Sequence, residues 1–249
     1  MVKNIISPLK TKVVRGWDAC CYKIYHRWRN NIILKKLIEN SKILILGSGP
    51  SANDFDNIPD DVKIFTCNYG PKLLSDKNIK RGIDLFIGFR FCMETIEHIE
   101  KTISEHFHKK INFFMTDDLQ YIKGKERLNK SYGTLMKYNP RENHYLLRLI
   151  SPYKMRDIHG TSKPWNSTGL ILLQFAIYFQ AKIIYLIGID LGKEHFYTQK
   201  YRDTDGSEFS YQHEDIDSAF IDIVSKRYHH IYSVSKNSAI TRYIPYKSL

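Results

Sequence analysis

Six consecutive residues, Gly47 to Ala52 (GSGPSA), have the composition of a turn that receives a phosphate. Glycine lets backbone approach a ligand closely, and a helix opening behind such a turn presents N–H groups to an anion. Pro50 suits the first turn of that helix, where its missing N–H does no harm. The pattern is G-x-G-x-x-A behind an apolar run, so a nicotinamide dinucleotide must be weighed. That ligand needs an acidic residue at the end of the second strand to hold a ribose hydroxyl, and "VKIFTCN" ends in Cys67 and Asn68 instead. An amide both donates and accepts, which suits a pyrimidine edge or a sugar at least as well. Asp190 closes the apolar run "KIIYLIGID", where the ligand-facing residues of a parallel sheet gather.

Other reactive residues read as structural. "DTD" (Asp203 to Asp205) matches a metal-gripping D-x-D in form, but it stands in a polar stretch and reads as a solvated turn. "MTDD" (Met115 to Asp118) fits a helix N-cap as well as an acidic pair at a strand end. His229 and His230 read as the close of a helix. Four cysteines (Cys20, Cys21, Cys67, Cys92) show neither C-x-x-C spacing nor a paired framework, as expected in a reducing compartment. No cluster of Cys and His suggests a metal.

These residues need a sheet to carry them. "KILILG", "VKIFTCN", "IDLFIGF", "INFFMT", "KIIYLIGID" and "HIYSVS" read as strands. "METIEHIEKTISEHF", "STGLILLQFAIYFQ" and "DIDSAFIDIVSKRY" read as helices between them. Alternation of this kind predicts an α/β, Rossmann-like, mostly parallel sheet with helices on both faces. A polar, Tyr-rich stretch from about Leu119 to Lys163 reads as an insertion or an acceptor-binding region. Gly169 to Ile189 has the length of a membrane span, but Gln174, Gln180 and Lys182 divide it into a buried helix and a strand.

At 249 residues the chain is long enough for one substantial α/β domain, placed at 41–249. The formal net charge is +12, and residues 1–42 hold ten Lys or Arg against Asp18 and Glu39, an excess of eight. The remainder is mildly basic, so nucleic acid is not the expected partner. Residues 1–40 place Ile6, Leu9, Val13, Trp17, Cys20, Ile24, Trp28 and Ile32 at spacings of three or four, the stripe of a basic amphipathic helix. The stripe fits either the domain's own core or an anionic membrane surface; two tryptophans and the local charge favour the membrane. Charges interrupt this region throughout, so it does not read as a signal peptide.

"LGSGPSA", then "FTCN", then "NSTG" opening a helix, then "IYLIGIDL" together resemble the bacterial sialyltransferases of glycosyltransferase family 42. The chain is also similar to the related lipopolysaccharide-core transferases that use CMP-Kdo. The likeness runs from about Lys42 to Ser238. It implies a Rossmann-like variant of the GT-A fold, a CMP-activated sugar donor, inversion at the anomeric carbon, and neither metal nor other cofactor. By the same resemblance Gly47, Ser48, Gly49 and Ser51 would wrap the donor phosphate and ribose, and Asn68 would contact the nucleotide. Ser167, Thr168 and Gly169 would present hydroxyls and N–H groups at a helix start, and Asp190 would hold the cytidine side. Tyr197, with His195 beside it, matches a phosphate-binding tyrosine, and His213 falls where the family has its catalytic histidine. The chain departs from the family pattern at Ser48, where Asn is common, and at Trp165 or Asn166, where an arginine is expected. Gly192 stands near the place of a second tyrosine.

Transfer from a CMP-ketose needs a base for the acceptor hydroxyl and donors for the departing phosphate. An imidazole suits the first task and a phenol beside helix N–H groups the second. CMP leaves with less charge than a nucleoside diphosphate, which lessens the need for a metal. The expected activity is therefore an inverting, metal-independent transfer of a sialic acid or Kdo-like sugar to a lipopolysaccharide or glycolipid acceptor. The expected location is cytoplasmic, peripheral on the inner face of the membrane. Two other readings are a pterin pyrophosphokinase-like nucleotide-binding enzyme and a non-enzymatic membrane-surface scaffold.

Overall fold

Strand β1 (Lys42–Leu46, KILIL) buries its last four residues completely, which an unbroken apolar run achieves only when a sheet is covered on both faces. Its side chains alternate between two cores. Ile43 and Ile45 join one with Phe65, Cys67, Leu85 and Ile87, whereas Leu44 and Leu46 join the other with Ile64, Ile83 and Phe86. The computed structural model describes residues 28, 31–79, 81–88, 111–116, 144–146, 167–192 and 214–249, with backbone alone at 88, 111–116, 144–146 and 214–216.

Among these residues the remaining strands are β2 (Val62–Cys67), β3 (Ile83–Gly88), β4 (Ile111–Thr116), β5 (His144–Leu146), β6 (Ile183–Ile187) and β7 (Ile231–Ser233). They form one seven-stranded sheet in the order β5-β4-β3-β2-β1-β6-β7, parallel at every pairing. β1 sits between β2 and β6, with Ile45 opposite Phe65 on one side and Leu186 on the other. The six strands anticipated from the sequence are all present. β5 adds a seventh inside the Tyr-rich stretch, where three residues are too few to stand out from polar surroundings.

The first core lies beneath helix α1 (31–38), α3 (Thr168–Tyr178) and α4 (Glu214–Arg227); α2 (Gly70–Asp76) and a 3₁₀ turn (Pro50–Asn53) cover the second. α3 is apolar nearly all round and buries every residue from Gly169 to Ile177 except Gln174, the signature of an interior helix. Among the described residues no helix is long and apolar enough to cross a membrane. α2 lies in a segment where the sequence suggests no helix. Pro71 opens it, and Gly70 is required because a Cβ there would run into the Thr66 hydroxyl.

α1 buries Leu34 and Ile38 in the first core, and the Lys63 ammonium donates to the Leu37 carbonyl at its end. Residues 31–38 therefore pack with the domain placed at 41–249. On the far side of the sheet the chain after Ile244 returns along β7. Ser233 N–H donates to the Pro245 carbonyl at 2.9 Å, and Lys247 N–H to the Ser233 carbonyl at 2.9 Å. Lys247 lies over the Tyr232 ring at 4.7 Å, and Lys236 over the Tyr246 ring at 5.0 Å.

Candidate active site

The strand order reverses direction between β1 and β6. From β1 the chain proceeds towards β2, and from β6 it proceeds the other way towards β7. The loops leaving the carboxyl ends of two such strands diverge, and the crevice between them is where open parallel sheets bind ligands. Gly47 to Ser51 follow β1 there, and Gly188 to Asp190 follow β6.

The two loops are joined amide by amide. Gly47 N–H donates to the Ile187 carbonyl at 2.8 Å and Gly49 N–H to the Gly188 carbonyl at 2.7 Å. Gly188 N–H donates to the Ser51 hydroxyl at 3.0 Å, and Ser51 N–H to Asp190 Oδ2 at 2.8 Å. This corrects the expectation of free N–H groups awaiting an anion: those of Gly47, Gly49 and Ser51 are all spent on the neighbouring loop. The glycines make room for the neighbouring loop. A Cβ on Gly47 would strike the Gly188 carbonyl, and one on Gly49 the Asp190 carboxylate. Gly188 has φ +69°, a conformation open to glycine, and its missing Cβ leaves room for the Gly47 carbonyl. Ser51 faces inward, buried, with its hydroxyl oxygen on Gly188. Pro50 does open the next turn, as expected, although that turn is a four-residue 3₁₀ helix.

Asp190 is the unusual member. One carboxylate oxygen holds the Ser51 amide, while Oδ1 is buried with no hydrogen-bond partner. A buried carboxylate oxygen left unpaired costs about 1–3 kcal/mol or more, and such groups in native proteins call for a reason. Here it sits at the crevice where ligands of this architecture bind. Leu191, directly after it, adopts φ +55°, so the chain turns sharply away from Asp190.

α3 enters from the first core. Ser167 is its N-cap but makes no side-chain cap bond. Its N–H donates instead to the carboxylate of Asp217 on α4, at 3.2 and 3.4 Å. An anion at a helix N-terminus is stabilised both by the N–H and by the helix dipole. Gly169, in the first turn, is pressed against the crevice floor: a Cβ there would lie 2.8 Å from Ile189 Cδ1 and 3.9 Å from Gly47 Cα. Asn68 stands at the carboxyl end of β2, half-buried, with φ +48° and its N–H on the Ile87 carbonyl at 3.4 Å.

The structure thus brings Gly47, Ser48, Gly49, Ser51 and Asp190 to two adjoining loops and Ser167, Thr168 and Gly169 to the start of α3 beside them, with Asn68 just after the next strand over. His195, Tyr197, His213 and the "DTD" of Asp203 to Asp205 lie outside the described residues. So do most of the predicted membrane-facing helix of residues 1–40 and the helix "METIEHIEKTISEHF". His229 and His230 form the turn between α4 and β7, as read from the sequence; β7 starts there, so they lie at the opposite edge of the sheet from the crevice. Burial holds the His230 imidazole below its usual range, with His229 adding a lesser push.

Three residues at the site had not been singled out. Gly188 lies inside "IYLIGIDL", and Ser238 donates through its hydroxyl to the Ile189 carbonyl at 3.3 Å. Asp217 had a visible signal. It shares the spacing of Phe220, Ile221 and Val224, so the apolar stripe of α4 begins with an aspartate, now 6% exposed. A carboxylate in that position demands a partner.

No known protein-family model matches the sequence, and no curated protein does. Solved structures do match in fold. The sialyltransferase CST-II in complex with a trisaccharide acceptor and CMP aligns with a TM-score of 0.54 and 16% identity, over 83% of this chain and 86% of that one. CstII from Campylobacter jejuni in complex with the substrate analogue CMP-3FNeuAc gives 0.53 and 17%, over 82% and 86%. The α-2,3-sialyltransferase from the same organism in apo form gives 0.50 and 17%, over 83% and 80%. At these identities the likeness is one of fold, and the Rossmann-like α/β architecture is shared.

Proposed function

We propose that the protein is a CMP-sugar-dependent glycosyltransferase that moves a sialic acid or Kdo-like sugar to a lipopolysaccharide or glycolipid acceptor. One observation carries the reading. The unpartnered Asp190 oxygen lies in the switch-point crevice of a fold shared with sialyltransferases crystallised with CMP. A carboxylate there accepts hydrogen bonds from a ribose hydroxyl or a base amine, and a nucleotide supplies both.

In this reading the nucleotide lies across β1 and β6, with the Asn68 amide and the Ser167 and Thr168 hydroxyls along its length. The knitted loops serve as its floor rather than as its phosphate cradle. The phosphate then depends on donors elsewhere, and Tyr197 with His195 fill that part. The acceptor oxygen attacks the anomeric carbon as the bond from that carbon to the phosphate oxygen breaks. His213 takes the acceptor proton, and CMP departs with the bonding pair. Attack opposite the leaving group inverts the centre in one displacement. A monophosphate ester carries little enough charge for hydrogen-bond donors alone to stabilise it, so the reaction is expected to run without a divalent metal.

Isothermal titration with CMP, UMP, ATP with Mg²⁺, and NAD⁺ tests the nucleotide, and CMP release from CMP-sialic acid and CMP-Kdo tests the reaction. CMP is expected to bind best. His213→Ala is expected to lose turnover by about 10²- to 10⁴-fold, the usual contribution of a general base, with CMP affinity and melting temperature retained. If no CMP-sugar is bound or turned over, the proposal is wrong.

A further inference from the structure

Helix α1 has two apolar sides, and only one is covered. Leu34 (1% exposed) and Ile38 (0%) face the first core, with Ile33 and Leu37 packed against its margin. Ile32 is two residues from Leu34, about 200° around a helix, and is 37% exposed. Trp28, one helical turn before Ile32, is 64% exposed. Lys35 and Lys36, one turn after it, are both exposed, and Lys35 is paired only loosely with Glu39 at 3.5 Å. An indole, a branched aliphatic and two ammonium groups therefore follow one line on the side of α1 away from the core.

We infer that this line is a docking surface for an anionic lipid bilayer. The core-facing set, Leu34 and Ile38, is out of phase with the longer stripe running from Ile6 through Trp17 and Ile24 to Trp28 and Ile32. Trp28 and Ile32, the members of that stripe among the described residues, are uncovered. Its flanks carry Arg27, Arg29, Lys35 and Lys36 within an excess of eight positive charges over residues 1–42. An interfacial helix uses both parts: the aromatic and aliphatic groups enter the headgroup boundary, and each nearby cation adds attraction to an anionic leaflet. Nucleic acid rewards the cations but gains nothing from an exposed Ile32. A second copy of a chain this basic is repelled by the same charges. The inference does not depend on the nucleotide reading, because it concerns binding without donor or acceptor.

The test is co-sedimentation of the full chain with vesicles of phosphatidylcholine alone and of phosphatidylcholine mixed with phosphatidylserine. Binding is expected for the anionic vesicles only, weakening as salt is raised. Trp28→Ser/Ile32→Ser, at exposed positions, is expected to weaken it roughly tenfold or more while the melting temperature and CMP titration stay as in the parent. Lys35→Glu/Lys36→Glu is expected to weaken it comparably. Failure to bind anionic vesicles, equal binding to both compositions, or undiminished binding by the Trp28/Ile32 variant would each overturn the inference. So would loss of self-association or of RNA binding in that variant with vesicle binding unchanged.

Discussion

Asp190→Asn separates a residue that serves a ligand from one that serves the fold. Asp190 Oδ2 accepts the Ser51 N–H at 2.8 Å while Oδ1 is buried and unpaired. A hydrogen bond to a charged group contributes about 1.5–3 kcal/mol, and an unpaired buried oxygen costs about as much, so the carboxylate adds little net stability. Asparagine keeps the bond to Ser51 through its own carbonyl and places an NH₂ where the lone oxygen was. Stability is then expected to change by less than about 1 kcal/mol in a urea titration. Nucleotide binding should respond differently. A ribose hydroxyl or base amine that donated to the carboxylate now meets another donor, and loss of that bond, about 1.5–3 kcal/mol, weakens CMP binding about 10- to 150-fold. Paired calorimetric and urea titrations of parent and variant read both quantities. CMP affinity unchanged, or a loss of several kcal/mol in stability with affinity intact, would refute the reasoning by making Asp190 a structural fastener.

Gly49→Ala is expected to destabilise the protein by about 1–3 kcal/mol and to weaken CMP binding, because its Cβ would strike the Asp190 carboxylate although φ of −69° suits alanine. Gly192→Ala is the control, since among the described residues only the Asp190 carbonyl lies near its Cβ, at 3.9 Å; equal urea midpoints for the two variants would contradict the packing account. Burial pushes the Cys67 thiol from 9.0 up to about 12, so the unfolded chain releases its proton first. The stability this group contributes is complete below pH 9 and falls at about 1.4 kcal/mol per pH unit as pH rises towards 12. Stability curves of the parent and of Cys67→Ala should converge with that slope difference, and parallel curves would show that the thiol titrates alike in both states.

Strands were most legible where the sheet is covered on both sides and the run is accordingly apolar throughout. β1 and β6 are the clearest, and α3 is recognisable by the same logic, being apolar on every side. β5 and α2 were not legible: three residues carry no pattern, and seven residues opened by Gly-Pro look like a turn. At the site, positions were easier to read than tasks. The glycines and Asp190 stand where the sequence put them, but whether a glycine makes room for phosphate or for protein depends on which loop comes to lie beside it. That loop is 139 residues away along the chain at the Ser51–Asp190 contact. Asp217 shows the reverse case. The misplaced polarity was visible in α4, but its partner, the Ser167 amide, follows only from how two helices cross.

The return of the chain along β7 has a consequence for the molecule's behaviour in crowded solution. The end strand of an open sheet is a ready template for another chain, and proteins that leave it bare risk stacking edge to edge. Here Pro245 and Lys247 already occupy the backbone groups of Ser233, and two lysines clasped over tyrosine rings hold the segment in place. An incoming strand finds those rungs taken and would have to peel the segment away before it could add itself to the sheet.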